Sequence, residues 1–141
     1  MPEPKITLEE NPDQSLRAAV LKPLLDYNVS KIGERELYCF ALFIRDPQTD
    51  EILGGLWARS FFNWTFVELL VVPEAMRGHG LGASLLARAE TIARQRGCTG
   101  IYLDTFSFQA RGFYEKQGYG LFGQLDNYPD DEKRFFLSKR F

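Results

Sequence analysis

The sequence is poor in metal and redox ligands: one histidine and two cysteines in 141 residues, none of them clustered. His79 stands alone, so a zinc site built from imidazole and thiolate is not expected. Cys39 and Cys98 lie far apart and make no C-x-x-C, so they read as reduced, structurally indifferent thiols of a cytoplasmic protein. Long apolar runs are missing too. Met1-Pro2-Glu3-Pro4-Lys5 has no apolar h-region, and no run approaches the ~20 residues that span a bilayer, so no membrane partner is expected. Nor is there a charge excess. Nineteen acidic against 17 basic residues leave a formal net charge of −2 and a pI near 5.5, which exclude bulk attraction to nucleic acid. No repeat, linker or low-complexity tract appears. What is present, 45% hydrophobic residues with 14% aromatic, is enough for one domain over residues 1–141 with a real core.

The organising stretch runs from Val67 to Gly97. Val67-Glu68-Leu69-Leu70-Val71-Val72, stopped by Pro73, reads as a buried strand. Arg77-Gly78-His79-Gly80-Leu81-Gly82-Ala83 is a glycine-rich turn, where the missing Cβ lets main-chain N–H groups approach a ligand. Leu81, Leu85, Leu86, Ala89, Ile92 and Ala93 then fall on one face of a helix, and Gly97 stands where a C-cap belongs. Strand, glycine turn and helix N-terminus together make an anion site, because free N–H groups and the helix dipole both favour negative charge there. The stretch predicts a phosphorylated ligand.

Gly78-His79-Gly80-Leu81-Gly82-Ala83 also satisfies G-x-G-x-x-G/A, with Asp104 about twenty residues on, as dinucleotide-binding proteins have it. That fingerprint requires the strand to run straight into the first glycine of an opening βαβ unit. Here Pro73 to Arg77 intervene and more than sixty residues come first, so the nicotinamide or flavin reading fails. Arg77-Gly78-His79-Gly80-Leu81-Gly82 instead resembles the Arg/Gln-x-x-Gly-x-Gly/Ala loop of the GCN5-related N-acetyltransferases (GNAT). Val71-Val72-Pro73-Glu74 before it and Gly112-Phe113-Tyr114-Glu115-Lys116-Gln117-Gly118-Tyr119 after it match further landmarks of that family, in the right order. The resemblance covers the chain from about Leu37 onward.

In chain order, Ile6–Glu10 reads as a first edge strand, and Asp13 as the N-cap of a helix over Gln14–Asp26 that kinks or ends early at Pro23. Tyr27–Glu36 reads as a loop. Leu37–Arg45 and Glu51–Arg59 form a hairpin across Asp46-Pro47-Gln48-Thr49-Asp50, with Gly54-Gly55 marking a bulge or a close backbone approach. Phe61, Phe62, Trp64 and Phe66 are assigned to core packing rather than to a substrate platform. Gly100–Thr105 is a fifth strand, Ser107–Gln117 a short helix, Tyr119–Gly123 and Lys133–Ser138 two more strands, and Asn127–Asp131 a charged turn. The expected class is α/β (α+β): a mixed, mostly antiparallel sheet of about seven strands with about four helices and a central βαβ crossover.

The resemblance implies acetyl coenzyme A as co-substrate, an amine as acceptor, no metal, and a homodimer as a common assembly. It places pantetheine against the main chain of Leu70, Val71 and Val72, where two strands part. It places the diphosphate on N–H groups from Arg77 through Gly78, His79, Gly80, Leu81 and Gly82 to Ala83, with the Arg77 side chain as a fixed cation. His79 and Leu81 contribute amides, so the lone histidine is a bystander. Where family members carry an asparagine that bonds pantetheine this chain has Ser107, and Gln109 stands close enough in sequence to substitute. Tyr114 matches the tyrosine that serves as general acid for the thiolate. Glu68, on the central strand, is the candidate base if it shares a side with Leu70 and Val72, and Asp104 is the reserve. An N–H near Val71 would polarise the thioester carbonyl, and the amine would attack directly in a ternary complex. Two alternatives remain at this level: a non-catalytic acyl-coenzyme A sensor or scaffold, and an acetyltransferase acting on aminoacyl-tRNA.

Overall fold

The structure, a computed structural model, describes residues 2–141, which divide into two compact units, one ending at Arg35 and one spanning Glu36–Phe141. In the first unit, the strand expected over Ile6–Glu10 does not form. A lone extended segment has no neighbour to take its N–H and C=O groups, so apolar alternation alone cannot make it a strand. Helix α1 (Ser15–Ile32) comes next. Gln14, not Asp13, takes the N-cap position, but the Asp13 carboxylate one residue earlier accepts the Ser15 N–H at 2.9 Å, and that bond holds the acid below its ordinary pKa. The helix neither ends at Pro23 nor leaves Tyr27–Glu36 as a loop. Lys22 and Asp26 pair across the proline at 2.8 Å, and the helix stops only at Gly33, whose N–H reaches the Val29 carbonyl at 2.9 Å. Proline forfeits one ladder bond, and an otherwise helix-compatible run on both sides can carry it through.

The second unit is a six-stranded sheet: β1 (Tyr38–Arg45), β2 (Ile52–Phe61), β3 (Trp64–Val71), β4 (Gly100–Phe106), β5 (Gly120–Asp126) and β6 (Lys133–Arg140). Their spatial order is β1-β2-β3-β4-β6-β5, antiparallel throughout except for β3 beside β4. Helix α2 (Leu81–Gln95) makes the crossover that a parallel pair requires, and the short α3 (Arg111–Lys116) leads from β4 toward β5. The class is as expected. The count is not: the described residues hold six strands and three α-helices, with only a 3-10 turn at Glu74–Met76 besides.

Leu85, Leu86, Ala89 and Ala93 of α2 are buried against Leu56, Ala58, Val67, Ile101, Leu103 and Leu137 of the sheet. The aromatics are arranged differently from expectation. Thr65 and Val67 take the α2 side of β3, so alternation turns Trp64 and Phe66 to the other face, where both are only half-buried. Phe66 stacks on Tyr102 of β4 with ring centres 4.9 Å apart. Phe62 is exposed in the β2–β3 turn at φ +56°, and Phe61 is half-buried. None of the four belongs to the buried core, because strand parity outweighs their hydrophobicity.

Two irregularities set the course of β3. The β2–β3 register pairs Ala58 with Val67 but Trp57 with Leu69, leaving Glu68 as the extra residue of a bulge. The parallel β3–β4 register runs from Trp64–Gly100 to Val67–Leu103 and ends there, although both strands continue. At Gly54 and Gly55 the neighbouring strands come too close for a side chain, as a Cβ on Gly54 would sit 2.6 Å from the Val71 oxygen. Gly54 therefore lets β2 close on β3 where β3 has lost its other partner, while Gly55, where a Cβ would meet the Leu42 oxygen, allows the close approach of β1 on the other side of β2.

Leu86 is fully buried between α2 and the sheet. Leu86→Ala is expected to lower the unfolding free energy by about 2–5 kcal/mol, read as a shift of the urea midpoint at unchanged slope.

Candidate active site

Beyond Val67 and Leu103 the two central strands bound a cleft of about 770 Å³. Its walls are β3 from Val67 to Val72, β4 from Leu103 to Phe106, the turn before α2, and α3. Along this stretch of β3 the main-chain groups directed at β4 have no strand partner among the described residues. They are hydrogen-bonding groups facing a cavity, which is a costly state unless water or a ligand meets them. The bulge returns Leu70 and Val72 to the core side, leaving Val71 53% exposed and Leu69 62% exposed on the opposite side. Leu70, Val71 and Val72 thus offer the cleft a continuous edge of main chain.

The turn entering α2 is built to receive an anion. Gly78 and Gly80 have φ of +84° and +79°, a conformation open to glycine at little cost, and Gly80 occupies the N-cap position without any side-chain cap. The first N–H of the turn and helix with a protein acceptor is that of Ser84, bonded to the Gly80 carbonyl at 3.0 Å. Among the described residues the N–H groups of Gly78, His79, Gly80, Leu81, Gly82 and Ala83 have no acceptor. No acidic residue lies in the first turn of α2 to oppose a negative ligand. Arg77 adds a cation: its Nε donates to the Val72 carbonyl at 3.0 Å, fixing the side chain at the strand end while its terminal nitrogens remain without protein partners among the described residues. A diphosphate fits this donor set. The side chain of His79 is exposed and outside the cleft lining.

Gly82 serves a second purpose. A Cβ there would lie 3.0 Å from the tip of the Phe113 ring, which would have to give by a few tenths of an ångström, so glycine lets α3 pack closely on the first turn of α2. The contact brings Tyr114 to the cleft wall, 7% exposed, its ring set edge-on to Phe113 at 5.2 Å and to Tyr119 at 6.2 Å. The Tyr114 hydroxyl has no protein hydrogen bond among the described residues. Burial pushes this phenol up to about 12, and the nearby Asp104 charge pushes the same way.

Four carboxylate or polar candidates differ in how free they are. Glu68, the bulge residue, lines the cleft and is exposed, with neither hydrogen bond nor ion pair among the described residues. It is the residue inserted at the bulge, between the Ala58–Val67 and Trp57–Leu69 pairs. Asp104 lines the cleft as well but is held 2.9 Å from Arg134, whose guanidinium packs against Phe136, Tyr128 and Phe106. Ser107 lies outside the lining: its hydroxyl donates to Glu132 and accepts the Lys133 N–H at 2.9 Å, tying the end of β4 to the start of β6. Gln109 does line the cleft. Its Oε1 accepts the Phe106 N–H at 2.8 Å and the Thr105 hydroxyl at 3.3 Å, which leaves its amide nitrogen free to donate. Phe106 and Phe108 complete this end of the cleft and Arg134 backs it through Asp104, and sequence reasoning missed all three. Alternation from Leu103 places Phe106 beside Asp104, and that was a usable signal.

A family model for the acetyltransferase (GNAT) family matches residues 6–119. The blasticidin-S acetyltransferase of Streptomyces morookaense is 36% identical over 124 residues, 87% of this chain and 85% of that protein. A crystal structure of a protein assigned as an acetyltransferase from Agrobacterium tumefaciens superposes with a TM-score of 0.90 at 36% identity, covering 97% of this chain and 99% of its own. A protein assigned as a streptothricin acetyltransferase from Bacillus anthracis, solved with acetyl coenzyme A, gives a TM-score of 0.58 at 27% identity, over 66% of this chain and 59% of its own.

Two measurements check the geometry. Gly82→Val should displace Phe113 and the turn, weakening coenzyme A by roughly tenfold or more in calorimetry, since both a donor array and its backing are disturbed. Tyr114 should stay protonated across the working range: the difference in ultraviolet absorbance between the native protein and Tyr114→Phe should show no phenolate step until pH nears about 12. Its raised folded value means that any stability it lends is complete below the ordinary phenol range and is lost as pH climbs through the folded value.

Proposed function

The chain belongs to the GNAT family of acetyltransferases, and from that premise we propose that it transfers the acetyl group of acetyl coenzyme A to a primary amine of a small molecule. The observation that carries the reading is the run of acceptor-free N–H groups from Gly78 to Ala83 at the end of the parted strands. It supports a diphosphate at the turn and a pantetheine arm against the main chain of Leu70, Val71 and Val72, with the Gln109 amide as a further donor. Two of the relatives carry the names of small-molecule acceptors, blasticidin-S and streptothricin, which favours that class here. Residues 1–141 act in this proposal as one acetyltransferase domain, within a cytoplasmic homodimer in which Cys39 and Cys98 stay reduced, in keeping with two unpaired thiols.

An acceptor amine with a pKa near 10.4 is almost wholly protonated at pH 7, and freeing its lone pair costs roughly 4.6 kcal/mol at 1.36 per unit. Glu68 is the proposed base, directly or through water, because it is the cleft carboxylate without a competing cation. Asp104, balanced by Arg134, is the weaker candidate. The freed amine attacks the thioester carbonyl, a main-chain N–H near Val71 meets the developing oxyanion, and the carbon–sulfur bond breaks. Tyr114 then faces the leaving sulfur. A phenol near 12 stays protonated at every working pH, but complete transfer to a thiolate of ordinary pKa, about 8.5, is uphill by roughly 3.5 units. Its role is therefore a hydrogen bond that strengthens as charge gathers on sulfur, with the proton following as the thiol leaves.

The test is thiol release from acetyl coenzyme A with polyamines, amino acids, aminoglycosides, nucleoside and peptide antibiotics, peptides and aminoacyl-tRNA as acceptors. Turnover with a small-molecule amine supports the reading; turnover confined to peptides or tRNA overturns its acceptor class, and coenzyme binding without turnover makes the protein a sensor. With an acceptor found, Tyr114→Phe should lower kcat about tenfold or more at little changed KM for acetyl coenzyme A. Glu68→Gln should push the activity toward high pH, where the free amine no longer needs a base. A flat response moves that role to Asp104 or to solvent.

A further inference from the structure

Away from the cleft, the proposed mechanism leaves one set of buried charges unexplained. Glu90 of α2 is 9% exposed, an unusual place for a carboxylate on the packed side of a helix. Its Oε1 accepts a hydrogen bond from Lys139 Nζ of β6 at 2.6 Å, and its Oε2 accepts one from the Tyr119 hydroxyl at 3.3 Å. Lys139 Nζ also donates to the Gln117 carbonyl at 3.1 Å and lies beside Gly118, which turns the chain at φ +93°. One ammonium group thus joins α2, β6 and the turn that ends α3.

That turn is what holds Tyr114. Helix α3 has only six residues, too few to fix its own register. Its end is closed by the Gln117 N–H on the Phe113 and Tyr114 carbonyls, at 3.2 and 3.0 Å, and by the Tyr119 N–H on the Tyr114 carbonyl at 3.1 Å. The Tyr119 ring in turn packs edge-on against the Tyr114 ring. Burial and the Glu90 carboxylate push the Tyr119 phenol well up, so it remains a donor to Glu90 throughout the working range. At the N-terminal end of α2 lies the phosphate-binding turn, and Gly82 already packs against Phe113 there. Two contacts therefore seat α3 on α2: an apolar one at Gly82, and an ionic one at Glu90, about two turns on.

We infer that Glu90 and Lys139 are positioning residues, an internal ion pair that clamps the α3–β5 turn to the coenzyme-bearing helix and so sets the Tyr114 hydroxyl at the cleft. The inference rests on the proposed role of Tyr114 at the leaving sulfur. Because a displacement of about 1 Å at a reacting group can cost as much as roughly 10²-fold in rate, loosening the clamp should register in turnover before it registers in coenzyme binding.

The experiment is a kinetic double-mutant cycle between Lys139→Met and Tyr114→Phe, with an amine acceptor from the screen, at a temperature where circular dichroism shows each variant folded. Lys139→Met alone should lower kcat about tenfold while KM for acetyl coenzyme A stays within about twofold. In the Tyr114→Phe background it should lower kcat no further, because the group it positions is gone. Multiplying effects would overturn the inference and leave Glu90 and Lys139 as stabilising residues only. If Lys139→Met does not fold, Glu90→Gln, which keeps the shape and a donor–acceptor group, enters the same cycle with the same two outcomes. A Tyr114→Phe variant with full native kcat removes the proposed role of Tyr114 and the clamp with it, whereas a slow Tyr114→Phe with multiplying effects removes the clamp alone.

Discussion

A parallel strand pair held together at one end and parted at the other leaves main-chain donors and acceptors that no strand can satisfy. In this chain the parting begins after Val67 and Leu103, and every element of the site answers to it. β2 keeps its grip on the far side of β3 beyond the bulge, pairing with Leu69, Leu70 and Val71 and aided by the close approach at Gly54, so β3 presents an ordered edge. On the other side β4 stays paired with β6 all the way to Phe106–Arg134. Each wall of the cleft is thus anchored by its outer neighbour. An opening between two separately supported strands is pre-organised: a ligand that fills it replaces lost strand pairing without first having to break any.

The parted strands also decide which acid is free. Asp104 projects from the half of β4 that has left β3, and β6 supplies Arg134 across the ladder to meet it, with three aromatic rings around the guanidinium. Glu68 projects from the matching half of β3, at the bulge in its pairing with β2. Two carboxylates at the same cleft therefore differ in charge balance because Arg134 of β6 reaches Asp104, whereas Arg59, the cation of β2, lies over the Phe66 ring and makes no ion pair with Glu68 among the described residues. That asymmetry is what favours Glu68 over Asp104 as the base in the proposed reaction.

Much of this was legible in the chain. Gly78, Gly80 and Gly82 sit at fixed spacing between an apolar β-branched run and a helix with a clear apolar stripe, and such local rules survive folding because turn and helix cap are short-range objects. The crossover and the antiparallel remainder came from strand spacing. Ser107 shows where local reading stops. Its hydroxyl is spent on Glu132 and Lys133, residues 25 and 26 positions away. No spacing rule carries that partner. Glu68 shows the same limit in another form, since strict alternation would have set it opposite Leu69, and only the pairing with β2 reveals that a residue is inserted. Trp64 and Phe66 were assigned by hydrophobicity when parity, fixed by Thr65 and Val67, was the stronger rule. Helix α1 ran through Pro23 because a proline penalty is weighed against the whole helix rather than applied at one point.

The chain is acidic, yet its glycine turn is shaped to grip a polyanion. A formal charge of −2 would, at long range, repel a diphosphate. Over distances beyond the Debye length, about 8 Å at physiological salt, that repulsion is screened away. What acts within that distance is the turn itself: six N–H groups without a protein acceptor among the described residues, the positive end of α2 behind them, Arg77 beside them, and no acid in the first helical turn. The dipoles are fixed partial charges that need no reorganisation when the ligand arrives, and they carry no net charge for the rest of the surface to balance. Glu68 and Asp104 line the same cleft, and in the proposed reaction the unpaired Glu68 would favour an acceptor arriving as an ammonium ion. Net charge and site charge are thus separate variables, with the surface free to favour the cationic partner while main-chain geometry holds the anionic one.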